Sequence, residues 1–213
     1  MSKAAASFNL EVTTQRLEAF SDGVFAIAIT LLILEIKVPT EEQLKNSSLF
    51  QYLWQQGPKY ATYIFSFITI GIYWANHHYL FKLFTKTDHF FNLLNVLFLM
   101  SISFLPFPTG ILGDYIMHEE HRKTAITFYS LGIYLPAFFW FSIWLYAIKG
   151  KRLIHPHLTD DFIRSMTRVY LFSNIVYLAA FFISMFHSLT AIIIGIILTL
   201  FYLLPPPKPE FRE

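Results

Sequence analysis

An acidic side chain, Asp22, lies inside the first long apolar segment of the chain. A charged group at membrane depth is costly and normally faces protein or water rather than lipid. Later segments bring other polar groups to a similar depth, and the candidate network is Arg16, Ser21, Asp22, Asn76, His77 and Asn95. It could be a structural clasp that fixes the angle of the first helix, because a buried carboxylate needs partners. Alternatively, Asp22 and His77 could form a proton-sensitive switch, because histidine titrates near neutrality.

The same segment carries an apolar stripe that includes one hydroxyl group. Its members are Ile27, Thr30, Leu31 and Leu34. Spacing of i, i+3, i+4 and i+7 places side chains on one face of a helix. Asp22 lies about 140° around the helix from Ile27, at roughly 100° per residue, so it faces different surroundings. Periodicity alone leaves ordinary helix packing open as the explanation of the stripe.

The composition indicates that a membrane surrounds these groups. Of the 213 residues, 55% are hydrophobic and only 14% are charged, whereas soluble domains usually carry about 25% charged residues. We therefore predict an all-α membrane protein with six transmembrane helices, since each crossing needs roughly 20 apolar residues. The net charge of +2 is too small to indicate nucleic-acid binding. The chain has no cysteine, which excludes a thiolate metal site and a thiol nucleophile.

Six apolar segments make up a single predicted transmembrane domain, residues 1–204. They run over residues 17–37, 51–84, 88–113, 124–148, 169–186 and 189–204. Pro106 and Pro108 break the third segment, and Pro136 is a possible kink in the fourth. Pro205 begins a run of three prolines that ends the last helix. Residues 205–213 then form a cytoplasmic tail that we expect to be disordered or only partly helical.

The distribution of lysine and arginine predicts the orientation. With the amino terminus inside, the inner loops and termini carry eleven of these residues and the outer loops carry five. Cytoplasmic loops normally hold the basic excess. Both termini are therefore predicted to be cytoplasmic, in agreement with an even number of crossings.

Histidine pairs raise the possibility of a metalloenzyme. They are His77 and His78, His118 and His121, and His155 and His157. The middle pair lies outside in the predicted topology and the other two lie inside, so the three pairs cannot all bind one metal ion. His118 and His121 are also three residues apart, whereas the H-E-x-x-H zinc motif places its histidines four apart. We predict that the protein is not an enzyme and has no bound metal or cofactor.

A proton-coupled secondary transporter is the stronger rival to a channel. Asp22 and His77 could serve as its proton relay. Transporters, however, tend to be built from inverted repeats with broken helices near the midplane. The sequence shows no obvious repeat, and its proline break lies in the outer half of the third segment.

Three stretches resemble the transmembrane protein 175 family of potassium channels. The first is FSDGVFAIAIT at residues 20–30, preceded by Arg16, and it is similar to the first-helix signature of that family. WANHH at residues 74–78 and FLPFPT at residues 104–109 are the other two. With six segments in matching order, the resemblance covers nearly the whole chain.

The resemblance implies a potassium-permeable cation channel whose pore is lined by the first helix. Ile27, Leu31 and Leu34 would form the constriction as a hydrophobic gate, and Thr30 would supply the hydroxyl linked to potassium preference. One six-helix repeat is the prokaryotic type, which implies a homotetramer in the inner membrane of a prokaryote. The implied partners are K⁺, other monovalent cations and the lipid bilayer. A proton-permeable channel that uses Asp22 and His77 remains an alternative.

The residues themselves are compatible with such a pore. The chain contains no TVGYG stretch, so a filter lined by backbone carbonyls is unavailable. One helix cannot enclose a hole, whereas four identical helices in closed cyclic symmetry can. A ring of isoleucine or leucine conducts only when it is wide enough to stay wet. We expect moderate selectivity from this arrangement.

Overall fold

The structure, a computed structural model, describes residues 14–45 and 48–212. Residues 1–13, at the start of the predicted transmembrane domain, and residue 213 of the tail lie outside the described residues, as do residues 46–47. The helices are α1 (Thr14–Leu31), α2 (Glu41–Leu44), α3 (Leu49–Gln55), α4 (Gly57–Phe81), α5 (His89–Phe104), α6 (Pro106–Tyr115), α7 (Glu119–Ile148), α8 (Asp160–Ser184) and α9 (Ser188–Phe201). Short 3₁₀ turns follow α1 at Leu32–Glu35 and α7 at Lys149–Lys151.

Several helical stretches are long and apolar enough to cross a bilayer. Within the described ranges there are four, Thr14–Glu35, His89–Tyr115, Glu119–Lys151 and Asp160–Ser184, and the apolar helix α9 is shorter, at 14 residues. The prediction of an all-α membrane protein is therefore confirmed. Six crossings per subunit remains a prediction.

Helix ends differ from the predicted segments where local chemistry sets them. Segment three is two helices, because Pro106 lacks a backbone N–H and begins α6. Helix α8 begins at Asp160, nine residues before the predicted start at Val169. The Thr159 hydroxyl accepts a hydrogen bond from the Phe162 N–H at 3.2 Å and so caps α8. Pro136 lies buried within α7, which continues past it.

The helices pack as two groups joined by α7. Helix α1 packs on α4 and α5, and α4 packs on α6; α8 and α9 pack on the other side of α7. Gly132 permits the close contact of α7 with α6, since a Cβ there would lie 2.8 Å from Cγ of Pro108. Aromatic rings fill the centre, where Phe98 lies 5.4 Å from Trp140 between ring centroids. This arrangement leaves one face of α1 without a partner among residues 14–45 and 48–212.

The carboxy-terminal tail contacts the rest of the subunit over residues 205–212, and the expectation that it is disordered or only partly helical stays a prediction. The Tyr79 hydroxyl donates to the Pro207 carbonyl at 2.5 Å. The Thr159 N–H donates to the Glu210 carbonyl at 2.9 Å, and the Arg212 guanidinium pairs with Asp160. These contacts tie the tail to α4 and to the start of α8. The tail is not helical because Pro205, Pro206, Pro207 and Pro209 lack the backbone N–H that a helix requires.

A candidate pore-lining helix and its polar clasp

The predicted stripe lies on the exposed face of α1. Ile27 is 62% exposed, Leu31 is 41% exposed and Leu34 is 64% exposed. Phe25 and Ala28, on the opposite face, are buried against the rest of the subunit. The subunit therefore holds α1 by one face and leaves the stripe available to line a shared axis.

The stripe does not continue as a regular α-helix to its end. After Leu31 the backbone tightens into a 3₁₀ turn at Leu32–Glu35. A 3₁₀ helix has three residues per turn rather than 3.6, so Leu34 is rotated further around the axis than regular spacing predicts. The predicted i+7 relation between Ile27 and Leu34 is therefore only approximate.

The Thr30 hydroxyl is anchored to the backbone of its own helix. Its oxygen lies 2.9 Å from the Ala26 carbonyl and 2.9 Å from the Ile27 carbonyl, so its single proton is shared between them. A hydroxyl also has two acceptor lone pairs. Because the side chain is exposed, those lone pairs can face a cation on the stripe side of α1.

A buried chain of hydrogen bonds joins α1, α5 and α4. His77 Nε2 donates to Asn95 Oδ1 at 3.1 Å, and Asn95 Nδ2 donates to Ser21 Oγ at 3.0 Å. The Ser21 hydroxyl in turn donates to the Leu17 carbonyl at 2.7 Å. The side chains of Ser21, His77 and Asn95 are at most 1% exposed. We call this chain the clasp; its bond from Asn95 to Ser21 attaches α1 to α5, and the bond from His77 to Asn95 attaches α5 to α4.

Aromatic rings enclose the histidine of the clasp. The His77 ring stacks on Phe81 at 4.1 Å between centroids and on Phe98 at 5.9 Å. Phe25 of α1 meets the same ring edge-on at 5.5 Å. The polar bond and the packing therefore hold α1 at the same point.

Asp22 is not a member of the clasp. Its carboxylate accepts a hydrogen bond from Trp74 Nε1 at 3.0 Å, and the side chain is exposed in the single subunit. Asp22 thus ties α1 to α4 by a second link, on a face of α1 different from that of Ser21. Sequence reasoning missed Trp74 as a partner, although Trp74 and His77 are three residues apart and lie on neighbouring parts of α4.

Two predicted members of the network lie elsewhere. Asn76 Nδ2 donates to the Ile72 carbonyl of its own helix at 2.9 Å, and Arg16 is exposed near the start of α1. The structure thus joins Ser21, His77 and Asn95 by hydrogen bonds, whereas Asp22 bonds to Trp74 instead of His77. Both members of the predicted proton relay have other hydrogen-bond partners.

The far end of the α1 segment is fixed against α6. The Glu35 carboxylate packs so closely on Gly110 that a Cβ at that position would overlap Glu35 Oε2. Glycine, which has no Cβ, permits this approach. Lys59 of α4 pairs with Asp114 of α6 at 2.5 Å, one turn further along α6. The stripe is thus bounded by the clasp at one end and by the Glu35 contact at the other.

Residues 16–106 match a family model described as the endosomal/lysosomal potassium channel TMEM175. The chain is 38% identical over 192 residues to a potassium channel of Chamaesiphon minutus, covering 90% of this chain and 94% of that protein. It is 41% identical over 143 residues to a potassium channel of Streptomyces collinus, covering 67% and 68% of the two chains. A Gallus gallus relative, named an endosomal/lysosomal proton channel, is 36% identical over 152 residues, which is 30% of its length.

Solved structures show the same fold. The crystal structure of a lysosomal potassium-selective channel TMEM175 homolog from Chamaesiphon minutus superposes with a TM-score of 0.80 at 35% identity, covering 89% of this chain and 96% of that one. A single-residue variant of the potassium channel MtTMEM175, in complex with a nanobody fusion protein, superposes with a TM-score of 0.61 at 21% identity, covering 91% and 90%. At 21% identity, the second superposition shows only that the fold is shared.

Proposed function

The chain belongs to the TMEM175 family of channels, and from that premise we propose that it forms a potassium-permeable cation channel whose pore is lined by α1. The observation that carries the proposal is the exposed stripe of Ile27, Thr30 and Leu31 on a helix whose other face is held by the clasp. The curated relatives from two bacteria are named potassium channels, which supports the same ion.

Four subunits enclose this pore in our proposal. A single α1 offers one exposed face and cannot surround an ion, whereas a closed cyclic ring of identical helices can. Tetramer formation also gives the exposed apolar residues of α1 a place away from lipid. The subunit then crosses the membrane six times: by the four long stretches, by α4, whose 25 residues span about 37 Å, and by the shorter α9.

Apolar rings act as the constriction in place of a carbonyl-lined filter. Ile27, Leu31 and Leu34 from each subunit narrow the hole, and water leaves a narrow apolar passage unless the passage is wide enough. The resulting hydrophobic gate passes ions only in its wider state. This protein is a multi-pass membrane protein, and we propose that it lies in the inner membrane of a prokaryote with both termini in the cytoplasm.

Thr30 contributes the preference for potassium over sodium in this account. Because the side chain is exposed, its lone pairs can accept from the stripe side, and four hydroxyls can then replace part of the hydration shell of a cation. Thr30→Ala is expected to bring the potassium and sodium permeabilities closer together, by a factor on the order of ten if about 1.4 kcal/mol of discrimination is lost. Bi-ionic reversal potentials of reconstituted protein measure the ratio.

Thr190→Ala is the matched control, because Thr190 is an exposed threonine on α9 away from the stripe. Its permeability ratio is expected to equal that of the wild type. Identical reversal potentials for Thr30→Ala and the wild type would remove Thr30 from the selectivity mechanism.

A proton-permeable channel is the second candidate, and the naming of the Gallus gallus relative as a proton channel favours it. Reversal potentials in liposomes test both candidates. A channel selective for potassium gives a reversal potential that follows the potassium gradient. A reversal potential that follows only an imposed pH gradient would favour proton permeation or proton-coupled transport through Asp22 and His77.

A further inference from the structure

An apolar groove lies between α4 and α9, in the half of the subunit away from the carboxy-terminal tail. Helix α4 packs on α6 and α9 packs on α7, and these contacts leave a gap between α4 and α9. Ala61 and Phe65 form one wall, Ile192 and Ile196 form the other, and Ile133 of α7 lies between them. The groove has a volume of about 320 Å³. An occupant therefore contacts mainly apolar side chains.

The two hydroxyl groups that line the groove, of Thr62 and Tyr129, have their protons bound within the protein. Thr62 donates to a carbonyl of its own helix at 3.0 Å. The Thr109 hydroxyl donates to the Leu105 carbonyl at 2.8 Å, so the Ser66 hydroxyl, 2.8 Å away, donates to Thr109. The Tyr129 hydroxyl, 3.1 Å from that of Ser66, then donates to Ser66. Since a hydroxyl has one proton, neither lining group has a donor left for an occupant.

Arg122 lies at the end of the groove that is nearest the membrane surface. Arg122, Tyr129 and Ile133 are spaced i, i+7 and i+11, which places them on one face of α7. The Arg122 Nε donates to the carbonyl of Ile116 at 2.7 Å, and Ile116 itself lines the groove. This bond uses one of the five N–H donors of the guanidinium. The remaining donors can bind an acceptor at the end of the groove.

Neighbouring charges restrict what Arg122 can bind. Lys59, beside the groove, is neutralised by its ion pair with Asp114, whereas none of the ion pairs within residues 14–45 and 48–212 includes Arg122. Glu119 and Glu120, exposed in the first turn of α7, disfavour an occupant that carries more than one negative charge. A group with a single negative charge therefore fits this position.

The dimensions of the groove fit one acyl chain. Arg122 and Ile133 are eleven residues apart on α7, which is about 16 Å at roughly 1.5 Å per residue. One leaflet occupies about 15 Å, half of the hydrocarbon core of a bilayer. A volume of about 320 Å³ over about 16 Å gives a cross-section of about 20 Å², whereas a helix about 10 Å wide needs about 80 Å². The groove is therefore too narrow for a helix of a second copy.

We propose that the groove binds one acyl chain of a phospholipid whose phosphate binds to Arg122. The guanidinium donates charge-assisted hydrogen bonds to the phosphate oxygens, for which its planar fork is well suited. The acyl chain follows α7 from Arg122 toward Ile133, between α4 and α9. In a bilayer the chain gains packing contacts rather than escape from water, so the phosphate contact supplies the selectivity. This site is separate from the α1 stripe and does not depend on the proposed channel function.

Native mass spectrometry of the detergent-solubilised full chain, titrated with phosphatidylglycerol, tests the proposal. Saturable binding of one phospholipid per subunit is expected, and diacylglycerol with the same acyl chains is expected to bind at least about tenfold more weakly. Arg122→Gln should weaken phospholipid binding at least about tenfold, because it removes the charge-assisted bonds to the phosphate. Ala61→Phe should weaken it similarly, because Ala61 is exposed in the groove and a phenyl ring there fills the space. If Arg122→Gln does not fold, Ala61→Phe still tests the site.

Matched control variants separate this site from general lipid contact. Lys123→Gln removes an exposed cation at nearly the same level on another face of α7, and Ala179→Phe adds a ring to an exposed position on α8. Neither is expected to alter phospholipid binding. Wild-type binding by Arg122→Gln or Ala61→Phe, an equal loss in the controls, or equal binding of diacylglycerol or of oleate would overturn the proposal. Since the readout is bound lipid rather than current, failure here leaves the proposed channel function untouched.

Discussion

Ile27→Asn is expected to raise the current through the reconstituted channel on the order of tenfold, the effect of lowering the barrier by about 1.4 kcal/mol. Asparagine is smaller than isoleucine, and its carboxamide binds water. A ring that includes it stays hydrated at a width where an isoleucine ring expels water. Because Ile27 is 62% exposed in the subunit, the substitution does not disturb the core. Single-channel recording measures the conductance and the fraction of time open.

Ile27→Ala separates polarity from size in this experiment. Alanine is smaller than asparagine but apolar, so its current is expected to rise much less than that of Ile27→Asn. Currents of wild-type size in Ile27→Asn would exclude this ring as the constriction. A rise of the same size in both variants would show that width rather than hydration limits conduction.

Asn95→Ala is expected to destabilise the subunit by several kcal/mol, the largest stability loss among the changes considered. Asn95 bonds both His77 and Ser21, and each buried polar group left without its partner costs about 1–3 kcal/mol. His77 cannot form a replacement hydrogen bond with bulk water, because it is only 1% exposed and is enclosed by aromatic rings. The loss should appear as a lower thermal unfolding midpoint in detergent and a smaller yield of assembled oligomer.

Asn92→Ala is the matched control, one turn away on α5. The Asn92 Oδ1 atom is buried without a hydrogen-bond partner among the described residues. Its removal is therefore expected to cost little. If Asn92→Ala and Asn95→Ala unfold at the same temperature, the clasp does not stabilise α1 in the way described.

The sequence predicted the helical class because membrane helices must satisfy their backbone hydrogen bonds internally, which leaves long apolar blocks as a visible signal. Pro106 likewise predicted a break, since proline within a helix has no N–H to donate to the preceding turn, although α7 continues past Pro136. The 3₁₀ turn at Leu32 left no such signal, because its residues also suit an α-helix. Helix α8 starts at Asp160, before the predicted Val169, because Thr159 caps it there. A pattern of apolar residues does not reveal such a cap.

The depth of a polar side chain in the membrane was easier to predict than its hydrogen-bond partner on a neighbouring helix. Helical rise and chain direction place Ser21, His77 and Asn95 at one level of the membrane, and the structure joins them. The partner of Asp22 depends on rotation about two helix axes, which no local pattern specifies, and it proved to be Trp74. The contact of Tyr79 with the Pro207 carbonyl joins residues 128 positions apart through a backbone atom, so side-chain identities give no hint of it.

Cysteine substitution at Leu31 tests most directly whether four α1 helices surround a common axis. The natural chain has no cysteine, so a Leu31→Cys variant carries one thiol per subunit. Cd²⁺ prefers soft thiolate ligands, and thiols that converge on one axis can bind it together. Micromolar Cd²⁺ is expected to block the Leu31→Cys current reversibly and to spare Ile197→Cys, which places the thiol on the exposed face of α9. A Leu31→Cys current that is indifferent to Cd²⁺ and to a cationic thiol reagent would contradict a pore lined by α1.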